Sequence, residues 1–389
     1  MRRVTGTYQT RIVGGERVRA FIPHPLPPSK PALDLNPLLI ERHSAALTAL
    51  QRLSVAAMTV PSVKWFLYGF VRKEAVISSQ IEGTQATLED VVQFEATRES
   101  EHPEDVEEIC NYIAALEFAR REINRPKGLP ISSRLLCRVH EQLMRGVRGA
   151  DKQPGTVRTS QNWVGGTRPG NASFVPPPPE EVLPGLSRLD QWIHADSDIP
   201  PLIRAGLAHV QFETIHPFLD GNGRIGRLLV SLLLEHWNIL EGPLLYLSLS
   251  FKRHRDAYYR RLSAVRTDGD WEGWTEFFLD CSKEAADDAV EAAGKIFRLL
   301  HEDRQRVVTH RTATVSAIRL FDLLAEHPII TPSSVVQLLV TSRPTALKAI
   351  QTLEATGILK ELTGRRRDRI FSYQRYLTLL SADTALMPR

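Results

Sequence analysis

The chain has 389 residues, too many for one ordinary domain, so two or three domains are expected. Its composition, 42% hydrophobic and 24% charged, is that of a globular protein, and the formal net charge of +4 is too small to identify a partner by itself. Cys110, Cys137 and Cys281 lie far apart, form no metal-ligand pair and fit a reducing compartment. No apolar run follows the N-terminus, and the longest one, residues 228–234, is far short of the roughly 20 residues a membrane span needs. A cytoplasmic location without membrane contact is the expectation.

Residues 1–35, rich in Pro, Gly and basic side chains, read as an irregular arm. Helices are expected from residue 36 onward, the second over residues 61–82. The stretch Thr87-Leu-Glu-Asp90 has the form of a capping box that starts another. Further helices fit residues 104–124 and 132–144. Residues 156–179 differ: β-prone segments around Trp163 and Phe174 flank a Gly/Pro/Asn turn and predict a hairpin. Helices return at residues 202–212, which are amphipathic, and at 224–237, apolar nearly all round and so expected in a core. A charged helix over residues 301–311 reads as part of a linker. Residues 312–378 then read helix, helix, helix and a two-stranded wing, a winged helix-turn-helix pattern, with residues 379–389 as a tail.

The chemistry concentrates in His216-Pro-Phe-Leu-Asp220-Gly-Asn222-Gly-Arg224-Ile-Gly-Arg227. A helix arrives, the chain turns, and an apolar helix leaves from about Gly223. Glycines let successive N–H groups converge, and a helix start adds unsatisfied N–H groups and a positive partial charge. Gly221, Asn222 and Gly223 therefore form a candidate anion nest. Arg224 and Arg227, three apart, can add charge-assisted contacts to phosphate oxygens from one helix face. Asp220 is a hard oxygen ligand at the edge of the nest, suited to Mg²⁺ shared with phosphates. His216 is the side chain best matched to take a hydroxyl proton near neutral pH. A P-loop lysine and a His-Glu-x-x-His zinc motif are both absent.

This segment resembles the signature of the Fic family, His-x-Phe-x-[Asp/Glu]-Gly-Asn-Gly-Arg-x-x-Arg, and His216, Phe218, Asp220, Gly221, Asn222, Gly223, Arg224 and Arg227 match every fixed position. The resemblance spans roughly residues 36–290. It implies an all-α fold: an N-terminal helical region over 36–125 and a Fic helical core over 126–290 with a small β-hairpin flap. A helical linker over 291–311 and the C-terminal winged helix-turn-helix domain follow. It also implies transfer of AMP from ATP, with Mg²⁺ or Mn²⁺, to a Ser, Thr or Tyr hydroxyl of a target protein. His216 would be the base and Asp220 the metal ligand. Gly221, Asn222, Gly223, Arg224, Ile225, Gly226 and Arg227 would surround the phosphates, and Tyr258 would stack on the adenine. The hairpin near Trp163 resembles the family's flap, which holds the target segment by strand-like pairing. Ser78-Ser-Gln-Ile-Glu82-Gly83 resembles the family's inhibitory pattern, which implies that Glu82 pairs with Arg227 and displaces the γ-phosphate.

The C-terminal module carries Arg343, Lys348, Arg365, Arg366, Arg367, Arg369 and Arg375 on its third helix and wing, a footprint that suits DNA phosphates. A protein-contact or dimerisation face is the alternative. The expected partners are thus a protein with a hydroxyl side chain, DNA at the winged helix, and a second copy of the chain. Other functional readings are a DNA-binding regulator whose core senses nucleotide, transfer of another nucleotide such as UMP, and removal of AMP.

Overall fold

The computed structural model describes residues 3–59, 63–364 and 369–386. The first third of the chain corrects one expectation. Instead of an irregular arm, β1 (Gly6–Val13) and β2 (Glu16–Pro23) pair antiparallel, Gly6 opposite Pro23 and Val13 opposite Glu16. Gly14 and Gly15 both take positive φ, as a two-residue hairpin turn requires. The strands were hard to see because most of β1 faces solvent and carries no apolar alternation.

Five helices follow: α1 (Pro37–Thr59), α2 (Val63–Ile81), α3 (Leu88–Thr97), α4 (Pro103–Asn124) and α5 (Ser133–Leu143). Their starts follow the sequence signals. Thr87 accepts from the Asp90 amide while the Asp90 carboxylate returns a bond to Thr87, and Ser132 caps α5 through the Leu135 amide. The expected flap hairpin shrinks to one antiparallel bridge, Val164 with Phe174, around a 3-10 turn at Pro169–Asn171. The four prolines at 176–179 remove the amide donors a longer second strand would need.

Then come α6 (Pro179–His194), α7 (Pro201–Ile215), α8 (Asn222–His236), α9 (Leu247–Arg253) and α10 (Arg255–Asp268). α8 buries Leu228, Leu229, Val230, Leu232, Leu233 and Leu234 and packs against α7 in the centre of the core. α11 (Trp271–Thr309) runs unbroken for 39 residues. No boundary falls at 290, and the expected linker is the second half of this helix, with no proline to stop it.

The C-terminal module is α12 (Val315–Leu323), β3 (Ile329–Ile330), α13 (Pro332–Leu339), α14 (Arg343–Ala355), β4 (Lys360–Glu361), β5 (Phe371–Ser372) and α15 (Gln374–Leu380), with sheet order β3-β5-β4. Gly357 follows α14 with positive φ, the usual helix stop. α15 crosses the expected border between module and tail. The module is not loosely tethered: Leu380 fills the space over Gly69 of α2, and Gln80 of α2 donates to the Thr384 carbonyl at 2.9 Å. Among the described residues no helix is long and apolar enough to cross a membrane.

Candidate active site

α7 ends at His216 because Pro217 follows and disfavours further helix. His216 takes φ 51° and ψ 62°, a left-handed conformation that costs a non-glycine residue energy and persists only where its surroundings hold it. The holder is Arg158. Its guanidinium donates to the carbonyls of His216 (2.8 Å), Pro177 (2.6 Å) and Ser160 (3.2 Å), and its own amide donates to Pro217 (2.9 Å). The His216 Nδ1 lies 3.4 Å from the Glu213 carbonyl, a long contact that favours the proton on Nδ1 and leaves Nε2 as the acceptor. Burial, with the nearby Arg158 charge, pushes the His216 pKa down to about 4. The ring is therefore a neutral base across the physiological range.

The loop from 217 to 222 is braced from inside. Asn222 accepts the Phe218 amide at 2.9 Å and donates to the Phe218 carbonyl at 2.8 Å. Its side chain thus shapes the turn and is not available to a ligand. Phe218 stacks on His140, ring centroids 3.9 Å apart and planes 3° from parallel. His140 accepts the Gly155 amide at Nδ1, which fixes the proton on Nε2, where it donates to the Asp220 carbonyl at 3.0 Å. Asp220 is exposed at the lip of the nest, with Oδ1 taking the Gly221 amide at 2.6 Å. Gly221 takes φ 75° immediately before α8. Ile225 packs in the core, and Gly226 faces Glu213 and His209 of α7, where any Cβ would collide with the Glu213 carboxyl. Their contribution is close helix packing. Burial raises Glu213 to about 7.

The two arginines point into the protein and are both engaged. Arg227, 3% exposed, donates to the Ser78 hydroxyl (2.9 Å), the Ser78 carbonyl (2.8 Å) and the Glu82 carboxylate (2.8 Å). Glu82 follows α2, just before Gly83, whose φ of 103° turns the chain away. A Cβ on Gly223 would collide with the Glu82 carboxylate, so that carboxylate stands over the first turn of α8. Burial is the largest single influence on Glu82 and would raise its pKa, but the charge and hydrogen bond of Arg227, with the charges of Arg224 and His216, together outweigh it and hold the carboxyl below the usual range. Arg224 reaches Glu108 at 3.3 Å and the Met144 sulfur at 3.7 Å. Glu108, itself buried, also pairs with Arg148 at 3.2 Å and accepts the Thr84 hydroxyl at 3.1 Å.

Tyr258, expected against an adenine, belongs to the core instead. It is 2% exposed, stacks on Phe251 and shares a 2.8 Å hydrogen bond with His209. Its neighbour Tyr259 is exposed and close enough to Glu82 and Arg227 for their charges to act on it. In the C-terminal module, Arg343 and Lys348 are exposed on α14, whereas Arg369 pairs with Glu361 and Arg375 with the buried Asp303. Arg365, Arg366 and Arg367 lie outside the described residues. Arg158, His140 and Glu108 escaped the sequence reading. His140 left one trace, a histidine on the apolar face of α5 beside Leu136, Val139 and Leu143.

Comparison with known proteins agrees with this geometry. Residues 40–121 match the Fic/DOC family N-terminal model, and residues 130–234 match the Fic/DOC family model. The chain is 29% identical over 211 residues to the protein adenylyltransferase Fic of Drosophila willistoni, covering 53% of this chain and 39% of that protein. The Drosophila virilis protein of the same name is also 29% identical, over 53% of this chain and 40% of its own length. The chain thus spans about two fifths of the length of these curated relatives. Its fold resembles the crystal structure of a Fic family protein from Desulfovibrio desulfuricans (TM-score 0.57, 21% identity, 88% of this chain and 97% of that one). A Fic domain containing signaling protein from Bacteroides thetaiotaomicron is a second neighbour (TM-score 0.50, 20% identity, 66% and 97%). With its signature loop between α7 and α8 and both family domains in place, the chain belongs to the Fic family.

Proposed function

We propose that the chain transfers AMP from ATP to a Ser, Thr or Tyr hydroxyl of a target protein, and that Glu82 restrains the transfer. The observation that carries the reading is the Glu82 carboxylate standing over Gly223 in contact with Arg227: an anion already occupies the nest that the phosphates would need. The name of the Drosophila relatives, protein adenylyltransferase, supports the same chemistry.

In that reaction the target hydroxyl oxygen attacks the α-phosphorus and its proton passes to Nε2 of His216, whose Nδ1 faces the Glu213 carbonyl. The new O–P bond forms as the bond to pyrophosphate breaks. Main-chain amides at the start of α8, with Arg224 and Arg227 released from Glu108 and Glu82, hold the phosphates. Asp220 fits a role with Mg²⁺ or Mn²⁺, since it is exposed at the lip and one of its oxygens is already oriented by the Gly221 amide. A single carboxylate suits a cation that takes its remaining ligands from phosphates and water. When bound, the metal would neutralise charge on the departing pyrophosphate. Tyr259, exposed beside Glu82 and Arg227, is better placed than Tyr258 to meet the base.

Incubation with ATP labelled at the α-phosphate tests the proposal. Label transferred to protein supports it. Nucleotide binding without transfer, by a variant freed of Glu82, favours a nucleotide sensor. That second reading draws on the exposed Arg343 and Lys348 of α14, at the position of a recognition helix in a winged helix-turn-helix.

A further inference from the structure

β2 does not end in solvent. The Phe21 amide donates to the Val175 carbonyl at 2.9 Å, and Val18, Ala20 and Val175 bury one another. The hairpin β1-β2 is therefore an extension of the segment around Val164 and Phe174, locked there further by ion pairs of Glu16 with Arg168 and of Arg11 with Glu180. Between this extension and α10 lies a groove of about 310 Å³. Arg17 and Arg19 of β2 form one wall, Ser263 and Arg266 of α10 the other, with Phe174 between them.

The groove is one-sided in charge. Three arginines line it and no carboxylate does. Glu16 and Glu180 are taken up by Arg168 and Arg11, Asp268 accepts the Thr267 hydroxyl at 2.7 Å, and Glu213, whose charge reaches Arg266, lies on the active-site side and does not line the groove. Arg19 lies over the Tyr8 ring at 4.4 Å and Arg266 over the Phe174 ring at 4.0 Å, contacts that help to orient the two guanidinium groups, and Arg17 and Arg19 are exposed while Arg266 is half-buried. Among the described residues none of the three has an ion-pair partner. Arg266 also belongs to the surroundings of the active site, because its charge acts on both His216 and Glu213. A chain lying in the groove would thus run toward the base.

We infer that this groove binds an acidic stretch of the protein whose hydroxyl is modified, flanking that hydroxyl in sequence. The inference rests on the transferase reading for the identity of its ligand. A peptide fits better than nucleic acid, since the groove has room for a few side chains and adjoins a strand edge rather than a broad basic face.

The test uses the full chain and three fluorescein-labelled dodecapeptides, each with one threonine flanked by four Glu, four Gln or four Lys, read by anisotropy at low salt without ATP. The Glu peptide should bind at least about tenfold tighter than the Gln peptide, from two or three exposed charge pairs. Arg17→Glu with Arg19→Glu should erase that preference. Arg343→Glu with Lys348→Glu, which changes net charge equally at a remote site, should leave it intact. Equal binding of Glu and Gln peptides overturns the inference. So does loss of the preference in both double variants, which would reveal a mere net-charge effect, and so does a 20-base-pair duplex that binds through Arg17 and Arg19 where the Glu peptide does not. Because no nucleotide is present, failure of AMP transfer would count against the proposed function alone.

Discussion

Glu82 and Arg227 stand 145 positions apart in the chain, yet the carboxylate of one touches the guanidinium of the other at 2.8 Å, above the first turn of α8. Arg227 is almost fully buried, whereas the Glu82 side chain keeps 35% of its surface open, so solvent screens part of the attraction. A restraint of about 1–3 kcal/mol is reasonable for such a pair. Glu82→Gly should accordingly raise self-labelling with ATP by about tenfold or more, at tenfold per ~1.4 kcal/mol. Glu82→Gly combined with Arg227→Ala should lose the gain, because the freed partner is gone. A folded Glu82→Gly chain that labels neither itself nor lysate proteins faster than the parent would falsify the restraint.

The loop from His216 to Arg227 was legible because its parts are local: a helix stop before Pro217, two glycines, and two arginines one turn apart. The partner of Arg227 was legible only through family resemblance, since nothing in the spacing of Ser78 and Glu82 announces a helix 145 positions downstream. Asn222 was read as a phosphate ligand, but an asparagine in a turn can equally bond its own backbone, and here it does so twice with Phe218. Tyr258 and Tyr259 carry the same composition signal, and only packing decides which ring is buried. The hairpin β1-β2 was missed because its apolar residues face a single small patch at Val175 rather than the main core.

His216 should be the base and little else. His216→Ala in the Glu82→Gly background should lower transfer by on the order of 10²–10⁴ while ATP affinity, set by the α8 amides and arginines, stays within about twofold. Its acidity is checkable directly. The imidazole is held neutral by burial first and by Arg158 second, so its NMR titration midpoint should lie well below 6.5, near 4. The base form is then present above that midpoint and lost as pH falls through it. A midpoint at 6.5 would contradict the buried, tethered ring.

Asp220 is the carboxylate at the lip of the nest, and transfer should need Mg²⁺ or Mn²⁺. Excess chelator should abolish labelling by Glu82→Gly, and Asp220→Ala should lose most of it even at high metal. Undiminished labelling in chelator would remove the metal role from Asp220.

The C-terminal module makes a separate claim. With Arg369 and Arg375 tied to acids, DNA contact would fall to Arg343 and Lys348 on α14 and to Arg365, Arg366 and Arg367. Binding to a duplex should then weaken with salt at a log–log slope of about −0.9 per phosphate contact, and Arg343→Ala with Lys348→Ala should flatten the slope by about two contacts. No duplex binding at low salt would leave the module as a protein-contact surface.

Arg158 yields the last prediction. Its hydrogen bonds go to main-chain carbonyls, among them that of His216 itself, which sits in a strained left-handed conformation. A guanidinium reaches several carbonyls in one plane, whereas a lysine ammonium is a single point on a flexible stem and cannot reproduce that fork. Arg158→Lys keeps the charge but loosens the His216 backbone. Misplacing a base by about 1 Å can cost about 10² in rate. In the Glu82→Gly background, kcat should therefore fall by about tenfold to hundredfold, with KM for ATP nearly unchanged, since Arg158 touches no part of the nest. Arg158→Met removes the charge as well. The His216 titration midpoint should then rise in Arg158→Met and not in Arg158→Lys, yet stay below 6.5 because burial is the larger cause. A structural support without electrical contact with His216 would move both variants alike. Parental kcat in Arg158→Lys would show that His216 is held in place by something else, and an unmoved midpoint in Arg158→Met would show that the Arg158 charge does not reach the ring.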